Sequence, residues 1–385
     1  LHKEYRRQRQ MCIRDSFRLA AAILATMLFG LLLVNSAKPS YTMKEAIGIT
    51  GCFAVMIIIS FIDYNWILKY FWLIYIVNIA LLGAVLVFGH NGKGATRWIK
   101  IADGITLQPS EFTKLFLILF MAKVISMFKD RFNTWKFLGI LAASLIVPVG
   151  MVFAQPDLST TLLICLIICS VLYCAGIDYK KVLTVLMIMV PIVLALFVYI
   201  QTPNQKLLKP YQVNRILAFK NPDAQENEDD RYQQENSVRA IGSGQLTGKG
   251  LNNDDPNSVK NAGLIPEAQT DFIFSVIGEE LGFVGSIITV LLLSWIVGEC
   301  LYAAVRARNF EGRLVCCGAA SWIAFQSFIN IGVTTLILPN TGLPLPFISY
   351  GLSSLMSLAV CMGIILNISL QRNAVDEDAV LDFNK

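Results

Sequence analysis

Asp271 closes a long polar stretch and opens a long apolar one. It stands in Pro266-Glu-Ala-Gln-Thr-Asp-Phe-Ile-Phe-Ser-Val-Ile-Gly-Glu-Glu-Leu-Gly282, with Glu279 and Glu280 about two turns further along. A carboxylate at a helix start is favoured by the macrodipole and can cap the helix. Held at the edge of water, it can also take a proton from a hydroxyl nucleophile. Three other segments pair chemistry-bearing residues with apolar surroundings. In Gln108-Pro-Ser-Glu-Phe-Thr-Lys114, Pro109 and Ser110 are helix-entry residues. Glu111 and Lys114 are then neighbours on one face, as a local ion pair, as lining of a site, or as both. Just upstream, Arg97-Trp-Ile-Lys100 sets Trp98 beside two cations, which fits a membrane-interface anchor or an anion contact. Gln155-Pro-Asp157 is a short turn whose Asp either caps the next helix or faces a site. Pro339-Asn-Thr-Gly-Leu-Pro-Leu-Pro-Phe-Ile-Ser-Tyr-Gly-Leu-Ser-Ser354 has three prolines and two glycines before an apolar run. It reads as a broken or re-entrant turn that could hold a polar head group, or as a plain loop before a Ser-rich helix face.

The elements that carry these segments follow from composition. Of 385 residues, 55% are hydrophobic and only 15% charged, against about 25% charged in a soluble domain. The apolar residues lie in long runs, which predicts an all-α polytopic membrane protein and excludes a cytosolic enzyme, a secreted disulfide scaffold and a nucleic-acid binder. About ten spans are expected, near 18–37, 46–62, 65–89, 111–128, 135–154, 159–176, 181–200, 272–305, 314–338 and 344–370. The run at 272–305 exceeds what one crossing needs, so it tilts or protrudes. No alternating strand pattern is read. Lys and Arg are richer in the segments on the side of the termini, which places both termini in the cytoplasm. Residues 1–16 read as a basic cytosolic tail or an artefactual extension, 17–200 as helices one to seven, 201–270 as a large extracytoplasmic loop, 271–370 as helices eight to ten, and 371–385 as a second cytosolic tail. Within the loop, Tyr211, Val213, Ile216, Leu217 and Phe219 fit a short amphipathic helix on the outer leaflet.

Of nine cysteines, eight lie in apolar runs, where cysteine behaves as a small hydrophobe. With two histidines and no Cys-x-x-Cys, a structural zinc site is not expected.

Taken together, QPSEFTKL at 108–115, QPDLST at 155–160, PEAQTDFIFSVIGEELGFVG at 266–285 and LPNTGLPLPFISYGLSSL at 338–355 resemble the SEDS family of bacterial cell-wall proteins, which has rod-shape, division and sporulation members. They occur in that family's order, and the resemblance spans residues 17–370. Pro210-Tyr-Gln-Val-Asn-Arg215 and Gly248-Lys-Gly-Leu251 look more like the rod-shape (elongation) branch than the division branch. The resemblance implies a peptidoglycan glycosyltransferase in the cytoplasmic membrane. It implies lipid II on its undecaprenyl chain as substrate, polymerised at the outer face, and a class B penicillin-binding protein as transpeptidase partner. The family's essential acidic residue maps onto Asp271, and Arg97, Trp98, Glu111, Lys114, Gln155, Asp157, Glu267, Ser349 and Ser353 fall on its motif positions. Many members have His where this chain has Gln269. Gln cannot exchange protons near neutral pH, so the chain does without that group or borrows His90.

Asp271 is thus the candidate base for an acceptor hydroxyl attacking a sugar–pyrophosphate bond. Arg97, Lys100, Lys114, Arg215 and Lys249 are candidate contacts for the departing pyrophosphate. A divalent cation, Mg or Mn, could share that work; no ligand cluster is readable, so no tightly bound metal is expected. The alternative is a lipid-precursor flippase or other transporter, which would also show intramembrane charges and a broken helix. The outer placement of the polar segments favours the enzyme.

Overall fold

The computed structural model describes residues 2–92, 95–102, 105–200, 228–253, 255–256 and 258–371. Lipid leaves no partner for an open backbone group, and the chain answers with helices. Helix α1 (His2–Ala37) runs through the basic segment into the first apolar one. A single 3-10 turn at Pro39–Tyr41 leads into α2 (Thr42–Ser60). Asp63 then caps the short α3 (Tyr64–Lys69) by accepting from the Asn65 amide, and α4 (Phe71–Phe88) follows. Next come α5 (Pro109–Met127), α6 (Trp135–Ala154), α7 (Leu158–Cys174) and α8 (Tyr179–Ile200). The second half holds α9 (Glu228–Ser243), α10 (Ile273–Val305), α11 (Phe310–Thr334) and α12 (Leu352–Leu370).

Each of the ten expected spans contains a helix, and among the described residues seven helices are long and apolar enough to cross a membrane. Two boundaries differ from expectation. The span expected at 65–89 is broken at Tyr70, whose backbone leaves the helical region. The span expected from 344 begins only at Leu352, because Pro344 and Pro346 hold the preceding chain out of a helix. A third difference is a small antiparallel sheet between α4 and α5, made of β1 (His90–Gly92), β2 (Ala95–Ala102) and β3 (Ile105–Leu107) in that order. Asp103-Gly104, in sequence between β2 and β3, is the hairpin dipeptide that signals it.

The bundle's interior is built on α11 and α12, whose Trp322, Ile323, Leu358 and Ile365 are wholly buried. Around them pack α2, α5, α7 and α10. The described part of the expected outer loop is ordered: α9 lies along α10, and Gln234 and Ser237 tie it to carbonyls at the end of α11 and beyond.

The long α10 is two helices in line. Gly282 sits at φ 63°, ψ −155°, outside helical space. The segment after α9 fills the break with its own backbone. Lys249 and Gly250 amides donate to the Glu279 and Glu280 carbonyls, and Phe283 and Val284 amides donate to the Gln245 and Leu246 carbonyls. The kink thus has an identifiable cause, an inserted strand of chain that satisfies groups on both sides of the break. The spacing of Gly278 and Gly282 suits a close neighbour, but the neighbour is this loop and the end of α9, not another membrane helix.

Candidate active site

Asp271 precedes α10 by two residues, and the irregular segment 338–351 passes directly beneath it. A methyl group at Gly342 would lie 3.3 Å from Asp271 Oδ2, so the carboxylate rests on a residue of the segment that has no side chain. Irregular backbone within a bundle needs partners, and side chains from three helices supply them. Gln234 of α9 donates to the Leu338 carbonyl at 2.9 Å and Ser159 of α7 to Thr341 at 2.6 Å. Asn330 of α11 donates to Leu343 at 2.7 Å and Gln326 of the same helix to Pro344 at 2.8 Å. Ser349 accepts from the Leu345 amide at 2.8 Å, closing the turn that the sequence read as a possible head-group site. The Tyr350 amide donates to the Gln269 carbonyl at 2.9 Å, which locks the end of the segment to the residues before Asp271. Gln269 itself is buried and donates to Glu267, which is exposed at a positive φ of 59°.

Glu111 and Lys114 sit one turn into α5, where the spacing placed them. Lys114 Nζ is 2.8 Å from Glu111 Oε2 and 3.1 Å from Gln326 Oε1, and it lies over the Trp322 ring at 4.7 Å. Trp322 Nε1 donates to the same Gln326 oxygen at 2.7 Å. The ammonium is fully buried. Its visible work is to hold Gln326, whose amide holds Pro344.

A second cluster joins the sheet to the turn before α7. Asp157 caps that helix by accepting from the Thr160 amide, and its other oxygen accepts from Gln108 and Ser110. Arg97 lies 3.8 Å from the Asp157 carboxylate and donates to the Pro156 carbonyl, with about a fifth of its side chain exposed (22%). Trp98, beside it, is exposed. Ser353 donates to the Thr106 carbonyl and accepts from the Gln108 amide, which fixes β3 to the start of α12. Gln155 is buried and donates to the Leu82 carbonyl of α4. Ser159, two residues beyond Asp157, links this cluster to the segment under Asp271.

Lys249 is placed elsewhere. Its Nζ is 2.7 Å from Glu279 Oε1, and the same carboxylate accepts from the Val259 and Lys260 amides. Glu280 is bound by Lys260 and by Ser36 of α1. These are the partners that the two buried acids require. The side chains of Lys100 and His90, and all of Arg215, the 210–215 motif and the expected 211–219 amphipathic helix, lie outside the described residues. Among the described residues no three His, Cys, Asp or Glu side chains converge.

Asn330, Gln326 and Trp322 escaped the sequence reading. They are uncharged and lie in an apolar run, where a single amide gives little pattern. The available signal was polar residues at 322, 326 and 330, four apart and therefore on one helical face.

A family model described as "Cell cycle protein", named for FtsW, RodA and SpoVE, matches residues 16–374. A "Probable peptidoglycan glycosyltransferase FtsW" of Trichlorobacter lovleyi is 34% identical over 380 residues, covering 93% of this chain and 95% of that protein. The protein of the same name from Bacillus subtilis is 38% identical over 301 residues, covering 77% of this chain and 72% of its own. Among solved structures, one from work on "structural coordination of polymerization and crosslinking by a peptidoglycan synthase complex" superposes with a TM-score of 0.75 at 26% identity, covering 93% of this chain and 98% of that one. The rod shape determining protein RodA of Thermus thermophilus shares the fold, with a TM-score of 0.68 at 23% identity, covering 93% of this chain and 97% of its own.

Proposed function

From the premise that this chain belongs to the FtsW, RodA and SpoVE family of cell cycle proteins, we infer a peptidoglycan glycosyltransferase integral to a bacterial membrane, with Asp271 as its general base. The observation that carries the base assignment is its setting. A carboxylate at the mouth of α10 rests over Gly342, on a segment whose carbonyls at Thr341, Leu343 and Pro344 are held by α7 and α11.

In this reading lipid II is polymerised at the outer face of the cytoplasmic membrane, with both termini in the cytoplasm and the undecaprenyl chain in the bundle's lipid-facing grooves. The acceptor hydroxyl attacks the donor's anomeric carbon, Asp271 takes the hydroxyl proton, and the pyrophosphate leaves with the bond's electron pair. Of the candidate cations whose side chains are described, Lys114 and Lys249 are bound to buried glutamates, and Arg97, about a fifth exposed beside Asp157, is the one to meet the departing charge. Lys114 acts as a positioning residue through Gln326, and Lys249 as a structural partner of Glu279. No step is routed through a metal ion.

A class B penicillin-binding protein would crosslink the strand. The similarity to a synthase complex that coordinates polymerisation with crosslinking supports that pairing. Service in elongation and shape rests on Gly248-Lys-Gly-Leu251 and on the 210–215 motif. The most alike relatives named above carry the division name, so rescue of elongation-deficient against division-deficient cells tests the choice. A transporter would need charges that change partners. Glu111, Lys114, Glu279 and Glu280 are instead bound in fixed buried pairs, which favours the enzyme.

The test is lipid II polymerisation by purified protein with a class B transpeptidase, wild type beside Asp271→Asn, with and without Mg or Mn. Asn keeps the size and hydrogen-bonding capacity of the side chain and removes the base. Glycan strands from wild type alone support the assignment, and near-normal strands from Asp271→Asn would sink it.

A further inference from the structure

Asn330 lies in the last turns of the buried α11 and is 1% exposed. Its amide nitrogen has two protons and uses both. One goes to the carbonyl of Asp271 at 2.8 Å, the other to the carbonyl of Leu343 at 2.7 Å. The two acceptors come from parts of the chain some seventy residues apart. One belongs to the carboxylate-bearing residue itself, the other to the neighbour of Gly342, the residue on which that carboxylate rests. A single side chain therefore sets the register between Asp271 and the surface beneath it. The other half of the amide is as telling. Asn330 Oδ1 is buried with no hydrogen-bond partner. A group that leaves an acceptor unsatisfied in a buried site carries a cost, and it is kept where its other contacts matter.

We propose that Asn330 is a positioning residue for the transferase reaction, fixing the Asp271 carboxylate over Gly342 by bridging the Asp271 and Leu343 carbonyls. The proposal rests on Asp271 being the base. Asn330 does not touch the reacting atoms. Without it the Asp271 carbonyl and the Leu343 carbonyl lose a shared donor, and the carboxylate is free to shift against the segment. Displacement of a catalytic group by about an ångström costs on the order of a hundredfold in rate. Binding of the lipid-linked sugars is set elsewhere, so the Michaelis constant stays put.

A matched control exists in the same molecule. Gln234 is also a buried amide with a doubly used nitrogen, donating to the Val333 and Leu338 carbonyls at 2.9 Å each. It staples the same segment several residues away from Asp271.

The experiment compares wild type, Asn330→Ala, Gln234→Ala and Asp271→Asn as full chains with a class B transpeptidase, measuring kcat and KM for lipid II beside thermal unfolding. Asn330→Ala is expected to lose about tenfold to a hundredfold in kcat with KM within about twofold. Gln234→Ala is expected to lose similar thermal stability while keeping its kcat within a few-fold of wild type. If Asn330→Ala does not fold, Gly342→Ala reads the same register from below, because its methyl group crowds Oδ2; kcat is expected to fall there too. Equal losses of kcat in Asn330→Ala and Gln234→Ala, or wild-type kcat in Asn330→Ala or Gly342→Ala beside an inactive Asp271→Asn, would overturn the inference alone. An Asp271→Asn protein that still polymerises would overturn the base assignment and this inference with it.

Discussion

Lys114 and Glu111 form an ion pair with 2.8 Å between Nζ and Oε2, in which the lysine side chain is fully buried and the glutamate 3% exposed. A pair so enclosed adds little net stability over apolar residues of similar size, but removing one partner strands the other charge. Lys114→Met is therefore expected to destabilise the protein by about 3–5 kcal/mol. The double variant Lys114→Met with Glu111→Gln recovers most of that loss. Both lose activity, because Gln326 loses its anchor and Pro344 its fixed donor. Thermal unfolding in detergent checks the stability pattern. A single variant as stable as wild type would contradict it.

The break in α10 predicts sharp intolerance at two glycines. Gly248 sits at φ 79°, and a methyl group there would come within 2.1 Å of the Glu280 carbonyl oxygen. At Gly282 the methyl would lie 2.4 Å from the Gly248 nitrogen. Both backbones belong to the interlock, so neither can give way without losing the hydrogen bonds that satisfy the break. Gly248→Ala and Gly282→Ala are each expected to cost at least about 2 kcal/mol from backbone strain and overpacking. Gly298, further along α10 with open space around it, is the contrast. Gly298→Ala removes a flexible residue from a helix interior and is expected to stabilise by about 0.5–1 kcal/mol. Melting temperatures of the three variants, measured side by side, give the order.

Asp157 separates a structural role from a chemical one. Its cap on α7 survives Asp157→Asn, since Asn and Asp cap about equally well. Its contact with Arg97, at 3.8 Å and partly exposed, is worth about 0–1 kcal/mol. Asp157→Asn also turns the oxygen that accepts from Gln108 and Ser110 into a donor, so it should lose about 1–3 kcal/mol of stability. If Arg97 meets the departing pyrophosphate, losing the carboxylate that orients it lowers turnover by about tenfold or more. Asp157→Ala adds the loss of the cap, about 1 kcal/mol. Turnover that tracks only stability across the two variants would assign Asp157 to the helix alone.

The sequence was legible where charge met hydrocarbon and less so where polarity was quiet. The ten spans, Asp271 at the mouth of α10 and the i,i+3 pairing of Glu111 with Lys114 could be read from periodicity and from the cost of burying charge. The partners of Glu279 and Glu280 could not, because Lys249, Lys260 and Ser36 lie about twenty to two hundred and forty residues away in sequence and only the kinked loop brings them in. Asn330 was hidden for a different reason. Its role depends on two backbone carbonyls, and carbonyls leave no mark on a sequence. The small sheet was overlooked because its strands are short, although Asp103-Gly104 is a hairpin dipeptide in the sequence.

Glu279 makes a final prediction about how the outer loop is held. Its Oε1 accepts from Lys249 Nζ and the Val259 amide, and its Oε2 from the Lys260 amide. One carboxylate thus gathers two backbone amides and a cation from a loop that otherwise has few buried apolar contacts. Glu279→Gln can keep the amide at one oxygen but turns the other into a donor facing donors. The loss is that of charge-assisted bonds, about 1.5–3 kcal/mol for each one broken. Because the penalty falls on a loop, its main effect is local opening and not global unfolding. Amide hydrogen exchange is expected to rise at Val259, Lys260 and their neighbours, while the amides of α11 and α12 stay protected. Lys249→Ala removes only the cation, so it should raise exchange less at those two amides. Equal exchange in wild type and Glu279→Gln would mean that the loop is held by something other than this carboxylate.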